Sequence, residues 1–120
     1  MNRIPKDLDL TPIMGEFIRQ LRVGPGDLQF TLGKVAFSVY SQLNLLRAGN
    51  RKLFAHWEAG KWPDPGFYDI MNIEVTRWEV PNDKLIVIEF ANGIEMHLED
   101  DDYYESMEIE FEGKSIPIII

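Results

Sequence analysis

Hydrophobic and polar residues alternate along most of this chain, most clearly across residues 73–111. Ile86, Ile88 and Phe90 fall on one side of an extended run. Ile94, Met96 and Leu98 resume it after Asn92-Gly93, with Glu95, His97 and Glu99 on the opposite side. A two-residue period marks a strand with one face buried. Asn-Gly between two such runs predicts a hairpin, because both residues tolerate positive φ.

The pattern is written twice. Leu28, Phe30 and Leu32 match Ile86, Ile88 and Phe90, and the turn Gly33-Lys34 matches Asn92-Gly93. Val35, Phe37 and Val39 match Ile94, Met96 and Leu98. Leu21-Arg22-Val23 precedes Gly24-Pro25-Gly26-Asp27 as Trp78-Glu79-Val80 precedes Pro81-Asn82-Asp83-Lys84. Alternation continues through Leu43-Asn44-Leu45 and Met107-Glu108-Ile109 to turns at Ala48-Gly49-Asn50 and Glu112-Gly113. The expectation is an internal duplication, residues 13–58 and 70–120, each copy a meander of about five strands. One copy alone buries too little surface to offset its chain entropy. The predicted fold is therefore all-β: two similar antiparallel meanders packed as a sandwich or barrel, with no more than one short helix. The whole chain, residues 1–120, suits one domain.

Three stretches fit the pattern less well. In residues 11–22, Ile13, Phe17 and Leu21 have helical spacing, while Phe17, Arg19, Leu21 and Val23 allow a strand. The connector, residues 59–69, is rich in proline and glycine and predicts no regular structure. Pro117 cannot donate to a ladder, which predicts an edge strand for the last apolar run. The Ile118-Ile119-Ile120 end needs burial, in the core or across a dimer interface.

Charge changes the picture more than composition does. Lys and Arg number 12 and Asp and Glu 20, a net charge of −8. Residues 1–60 carry eight basic and five acidic side chains; residues 61–120 carry four and fifteen. So acidic a second half repels nucleic acid and anionic membranes and attracts a basic partner, or serves solubility alone. No apolar run approaches a membrane span, and no apolar signal core opens the chain. With no cysteine there is neither a disulfide framework nor thiolate chemistry, which suits the cytoplasm.

The alternating strand at Ile86 to Phe90, the Asn92-Gly93 turn, Tyr104-Glu105-Ser106 and the closing Ile118 to Ile120 run resemble a family of small uncharacterised bacterial proteins. Where that family usually places an aromatic after Glu-Ser, this chain has Met107. The resemblance implies no catalytic residues, and through members of the type that sit beside toxin genes it implies an immunity protein.

The densest polar feature is Glu99, Asp100, Asp101, Asp102, Tyr103, Tyr104 and Glu105. Its carboxylates have the oxygens a hard cation needs, but their spacing is not that of an EF-hand loop, and no metal or cofactor is assigned. The run reads as a solvated acidic turn or as a contact site for a basic protein, with a tyrosine as anchor. If the register holds, Glu95, His97, Glu99, Glu108 and Glu110 share the outward faces of neighbouring strands, an arrangement open to acid–base work or simply to wetting a sheet. Trp57, Trp62, Phe67 and Tyr68 gather around the connector, either as a lid on the core or as a ligand groove. The serines have no nucleophile-elbow context. The overall expectation is a non-enzymatic, cytoplasmic protein-binding module, in its sharpest form an immunity-type protein for a basic toxin. The alternative is a homodimeric small-ligand binder using the aromatic connector.

Overall fold

A computed structural model describes residues 3–100, 106–112 and 114–118. Ten strands follow the alternation: β1 (Arg22–Val23), β2 (Leu28–Leu32), β3 (Val35–Val39), β4 (Gln42–Arg47), β5 (Leu53–Glu58), β6 (Val75–Asn82), β7 (Leu85–Phe90), β8 (Ile94–Glu99), β9 (Met107–Phe111) and β10 (Lys114–Ile118). No α-helix occurs among the described residues.

The strands form two five-stranded antiparallel sheets and no closed barrel. Sheet 1 runs β1-β2-β3-β9-β10, and sheet 2 runs β5-β4-β8-β7-β6. Each half of the chain thus gives three strands to one sheet and two to the other. The exchange happens twice. Tyr40-Ser41 carries the chain from β3 in sheet 1 to β4 in sheet 2, and β9, the strand after β8, lies in sheet 1 again. Tyr40 N–H donates to Ser106 O at 2.8 Å. β3 and β8 are the central strands of their sheets, and each borders a strand from the other half.

Burial follows the period of two. Leu28, Phe30, Leu32, Val35, Phe37 and Val39 of sheet 1 are buried, as are Leu43, Leu45, Ile86, Ile88, Phe90, Met96 and Leu98 of sheet 2. They belong to one apolar core. Phe30 and Phe37 are direct cross-strand partners, and their rings stack at 4.8 Å between centroids, an arrangement that adds to the area they bury.

The β7–β8 loop spans residues 91–93, one more than the Asn-Gly pair, and only Gly93 takes the left-handed conformation, at φ +83°. Gly93 N–H donates to Phe90 O at 3.0 Å, while Asn92 Nδ2 donates to Asp69 O at 2.8 Å. Asn92 therefore ties the hairpin to the connector instead of supplying a second positive φ.

Residues 11–22 are neither one helix nor one strand. They make a 3₁₀ turn at Thr11–Ile13, a single parallel bridge from Ile18 to Met71 and the entry to β1. The connector, expected to be irregular, carries a six-residue 3₁₀ helix, Pro65–Ile70. Pro65 opens it, where its missing N–H costs nothing. Gly66 lets the helix lie on β5: a Cβ there would meet Ala55 Cβ and Phe54 Cε2 at 2.9 Å each. The connector also covers the β5 edge. His56 N–H donates to Asp64 Oδ2 at 2.9 Å, and Asp64 N–H donates to His56 O at 3.2 Å. Pairing the edge in this way blocks strand addition there. Pro117 lies in β10, an edge strand, as its lack of a donor requires. No helix among the described residues is long and apolar enough to cross a membrane.

Candidate functional site

The strand alternation that fills the core leaves two outer faces, and their chemistry differs. On sheet 2 the outward residues of the central strand are Glu95 and His97. Both are buried, at 3% and 7% exposure, although nothing from the other sheet covers them. Their neighbours do. His97 pairs across the ladders with Asn44 on one side and Val87 on the other, and Val87 is fully buried. Arg77 on β6 reaches across β7, so that its Nη2 donates to Glu95 Oε2 at 3.2 Å. The same guanidinium donates from Nε to Glu89 Oε1 at 2.9 Å and lies 3.0 Å from Glu79. Hydrogen bonds to Glu89 and Glu79 push the Arg77 pKa up. Arg51 approaches Glu95 Oε1 at 3.6 Å, and His97 Nε2 lies 3.0 Å from that oxygen. At the centre of this face Glu79, Glu89 and Glu95 are matched by guanidinium and imidazole groups.

Farther along the row, His56 Nδ1 lies 2.6 Å from Asn44 Oδ1, and His56 Nε2 lies 3.2 Å from Glu58 Oε1. The contact with His56, helped by the charge of Lys61, holds the Glu58 carboxyl below its ordinary range.

Sheet 1 is built the other way. The outward residues of its central strand are Ala36 and Ser38, both small. Gln29 and Thr31 flank them on β2, and Glu108 and Glu110 flank them on β9. Glu110 is exposed, and Glu108 meets only the Tyr40 hydroxyl, at 3.5 Å. Neither carboxylate has a cationic partner among the described residues. The middle of this face therefore carries small side chains beside two uncompensated carboxylates.

The shared face expected for Glu95, His97, Glu99, Glu108 and Glu110 does not form. β8 lies in sheet 2 and β9 in the opposite sheet, so Glu108 and Glu110 look away from Glu95 and His97.

The acidic run divides. Glu99 ends β8, partly exposed, and with Asn82, Asp83, Lys84, Leu85 and Asp100 lines a surface concavity of about 520 Å³. Asp100 is spent inside the protein. Its side chain has 0% exposure, lies 2.6 Å from Arg3 Nη1 and accepts from Ser106 Oγ at 2.6 Å. Asp101, Asp102, Tyr103, Tyr104 and Glu105 lie outside the described residues.

The four connector aromatics are not brought together as one groove. Trp57 and Phe67 are buried, at 1% and 2%, whereas Trp62 and Tyr68 stand 80% and 77% exposed. Alternation on β5 turns Trp57 inward beside its ladder partner Leu43, and the 3₁₀ helix turns Phe67 and Ile70 inward. Trp62 shares a shallow concavity of about 340 Å³ with Val23, Gly24, Pro25, Gly60 and Lys61. Among the described residues no group of three or more His, Asp or Glu is placed to hold a metal ion.

The chain matches no protein-family model, no curated protein and no solved structure.

Proposed function

We propose that this chain is a non-catalytic cytoplasmic module that binds a basic protein through the outer face of sheet 1. The supporting observation is the contrast in charge compensation. Glu108 and Glu110 have no cation within pairing distance among the described residues, whereas Glu79, Glu89 and Glu95 of the sheet 2 face are engaged by Arg77 and Arg51. Carboxylates left unpaired beside small side chains suit lysines and arginines of a partner, and the acidic run of residues 101–105 leads directly into β9. In its sharpest form the module is an immunity-type protein that covers the basic surface of a toxin.

The test is capture from a lysate of the cells that encode the protein, at low and moderate salt, comparing the native chain with Glu108→Gln/Glu110→Gln and with Glu79→Gln. The reading predicts a basic protein held at low salt, released at moderate salt, lost with the double substitution and kept with Glu79→Gln. Capture that is indifferent to Glu108 and Glu110 would contradict it.

A further inference from the structure

A concavity lined by two arginines opens at the β1–β2 side of sheet 1. Residues 15–21 run from the first 3₁₀ turn to β1 and are fastened to the second half of the chain. Val75 N–H donates to Glu16 O at 2.9 Å, and Asn72 N–H donates to Ile18 O at 2.8 Å. Between this segment and the β1–β2 hairpin opens a surface concavity of about 520 Å³, lined by Glu16, Phe17, Arg19, Gln20, Arg22, Thr31, Gly33 and Asn72; Glu16, Arg19, Gln20 and Arg22 are exposed. That volume falls in the range of small-molecule sites.

Its lining is unusual for this chain. Two arginines face one glutamate, in a protein whose net charge is −8. Neither guanidinium is paired with a carboxylate among the described residues: Arg19 lies over the Phe17 ring, 4.7 Å from its centroid, and Arg22 makes only a long contact of 3.4 Å to Thr31 Oγ1. The phenyl ring holds Arg19 in place without consuming its N–H donors. The side-chain amides of Gln20 and Asn72 likewise have no hydrogen-bond partner among the described residues. Asn72 is kept in the left-handed conformation, at φ +62°, by the bond from its own N–H to Ile18. Glu16 limits the anionic charge the cavity accepts and sits against the backbone of Gly33.

We propose that this cavity binds a small organic oxyanion, its phosphate or carboxylate group held between the guanidiniums of Arg19 and Arg22. A guanidinium presents paired donors that fit either group, and Arg19 and Arg22 line the same concavity. The site adjoins the sheet 1 face, with which it shares Thr31 and the outward Arg22, but it uses neither Glu108 nor Glu110.

The experiment is a titration of the ¹⁵N-labelled protein with inorganic phosphate, phenyl phosphate and benzoate, each against sodium chloride of equal ionic strength, followed by NMR. Saturable shifts at the Arg19 and Arg22 Nε–H signals are expected, together with the backbone amides of Phe17 and Gln20. Arg19→Gln and Arg22→Gln should each weaken binding about tenfold, the equivalent of one charge-assisted hydrogen bond. Arg47→Gln, remote in the fold and stacked on Phe54, should leave it unchanged. Saturation by the phosphates alone assigns a phosphorylated ligand, and saturation by benzoate as well extends the site to carboxylates. All three probes behaving like chloride, or binding that survives both arginine substitutions, would overturn the proposal.

Discussion

β3 and β8 hold the same place in their sheets, yet they show opposite chemistry to solvent. Inward they are equivalent: Val35, Phe37 and Val39 on one, Ile94, Met96 and Leu98 on the other, all buried. Outward, β8 carries Glu95 and His97, which draw Arg77 and Arg51 over themselves. β3 carries Ala36 and Ser38, which draw nothing and leave Glu108 and Glu110 free beside them. The difference shows that burial in a two-layer β protein is decided by side-chain length as well as by layer. A central strand with long polar residues builds a third, self-satisfied layer. One with small residues leaves a surface. The first arrangement serves stability, and the second is the face we propose for binding.

The largest effect expected from breaking this contrast is at Arg77. Removing it takes the donor from Oε2 of the Glu95 carboxylate, which is only 4% exposed, and leaves Arg51 and His97 at Oε1. Loss of one member of a buried pair costs several kcal/mol; because Arg77 is itself 41% exposed, Arg77→Ala should destabilise by roughly 2–3 kcal/mol in urea unfolding. The mirror experiment on sheet 1 should leave stability nearly untouched. Glu108→Gln/Glu110→Gln is expected to shift unfolding by less than about 0.5 kcal/mol while weakening capture of the basic partner about tenfold.

Much of this was legible in the alternation, and the remainder had definite physical reasons for being hidden. Period two told which residues of β2, β3, β7 and β8 face inward, because a strand has only two sides. It carried no information on sheet membership. Glu95 and Glu108 look alike in sequence, yet β8 and β9 belong to different sheets and separate them by a full layer. Nor did it tell a central strand from an edge strand, so the burial of Glu95 and His97 went unseen. Asp100 sits in a run of four carboxylates and looked solvated. Its engagement with Arg3 depends on a contact 97 residues away in sequence. Trp57 and Phe67 share the aromatic connector region with Trp62 and Tyr68, but strand and 3₁₀ periodicity divide the four between core and surface.

Smaller effects sharpen the contrast further. Ala36→Arg places a cation directly across the ladder from Glu110 and imitates on sheet 1 the compensation native to sheet 2. Stability should change by less than about 0.5 kcal/mol, with a few-fold loss of capture that direct binding measurements would show. The smallest expected effect is at Glu58, on the compensated face. Its folded pKa lies below the ordinary 4.5 because His56 and Lys61 favour the carboxylate. The stabilisation it contributes is therefore present above that value and is lost as pH falls through the lower, folded value. Carboxyl NMR should show Glu58 titrating low, and Lys61→Met should move it part of the way back.

The central claim, that the uncompensated face is the binding face, is tested most directly by carboxyl footprinting of the captured complex. Carbodiimide labelling of the free and bound protein, read by mass spectrometry, reports which glutamates a partner covers. The account predicts protection of Glu108 and Glu110 on binding, with Glu58 and Glu79 labelled as in the free protein. Protection of Glu58 and Glu79, with Glu108 and Glu110 still fully reactive, would contradict it.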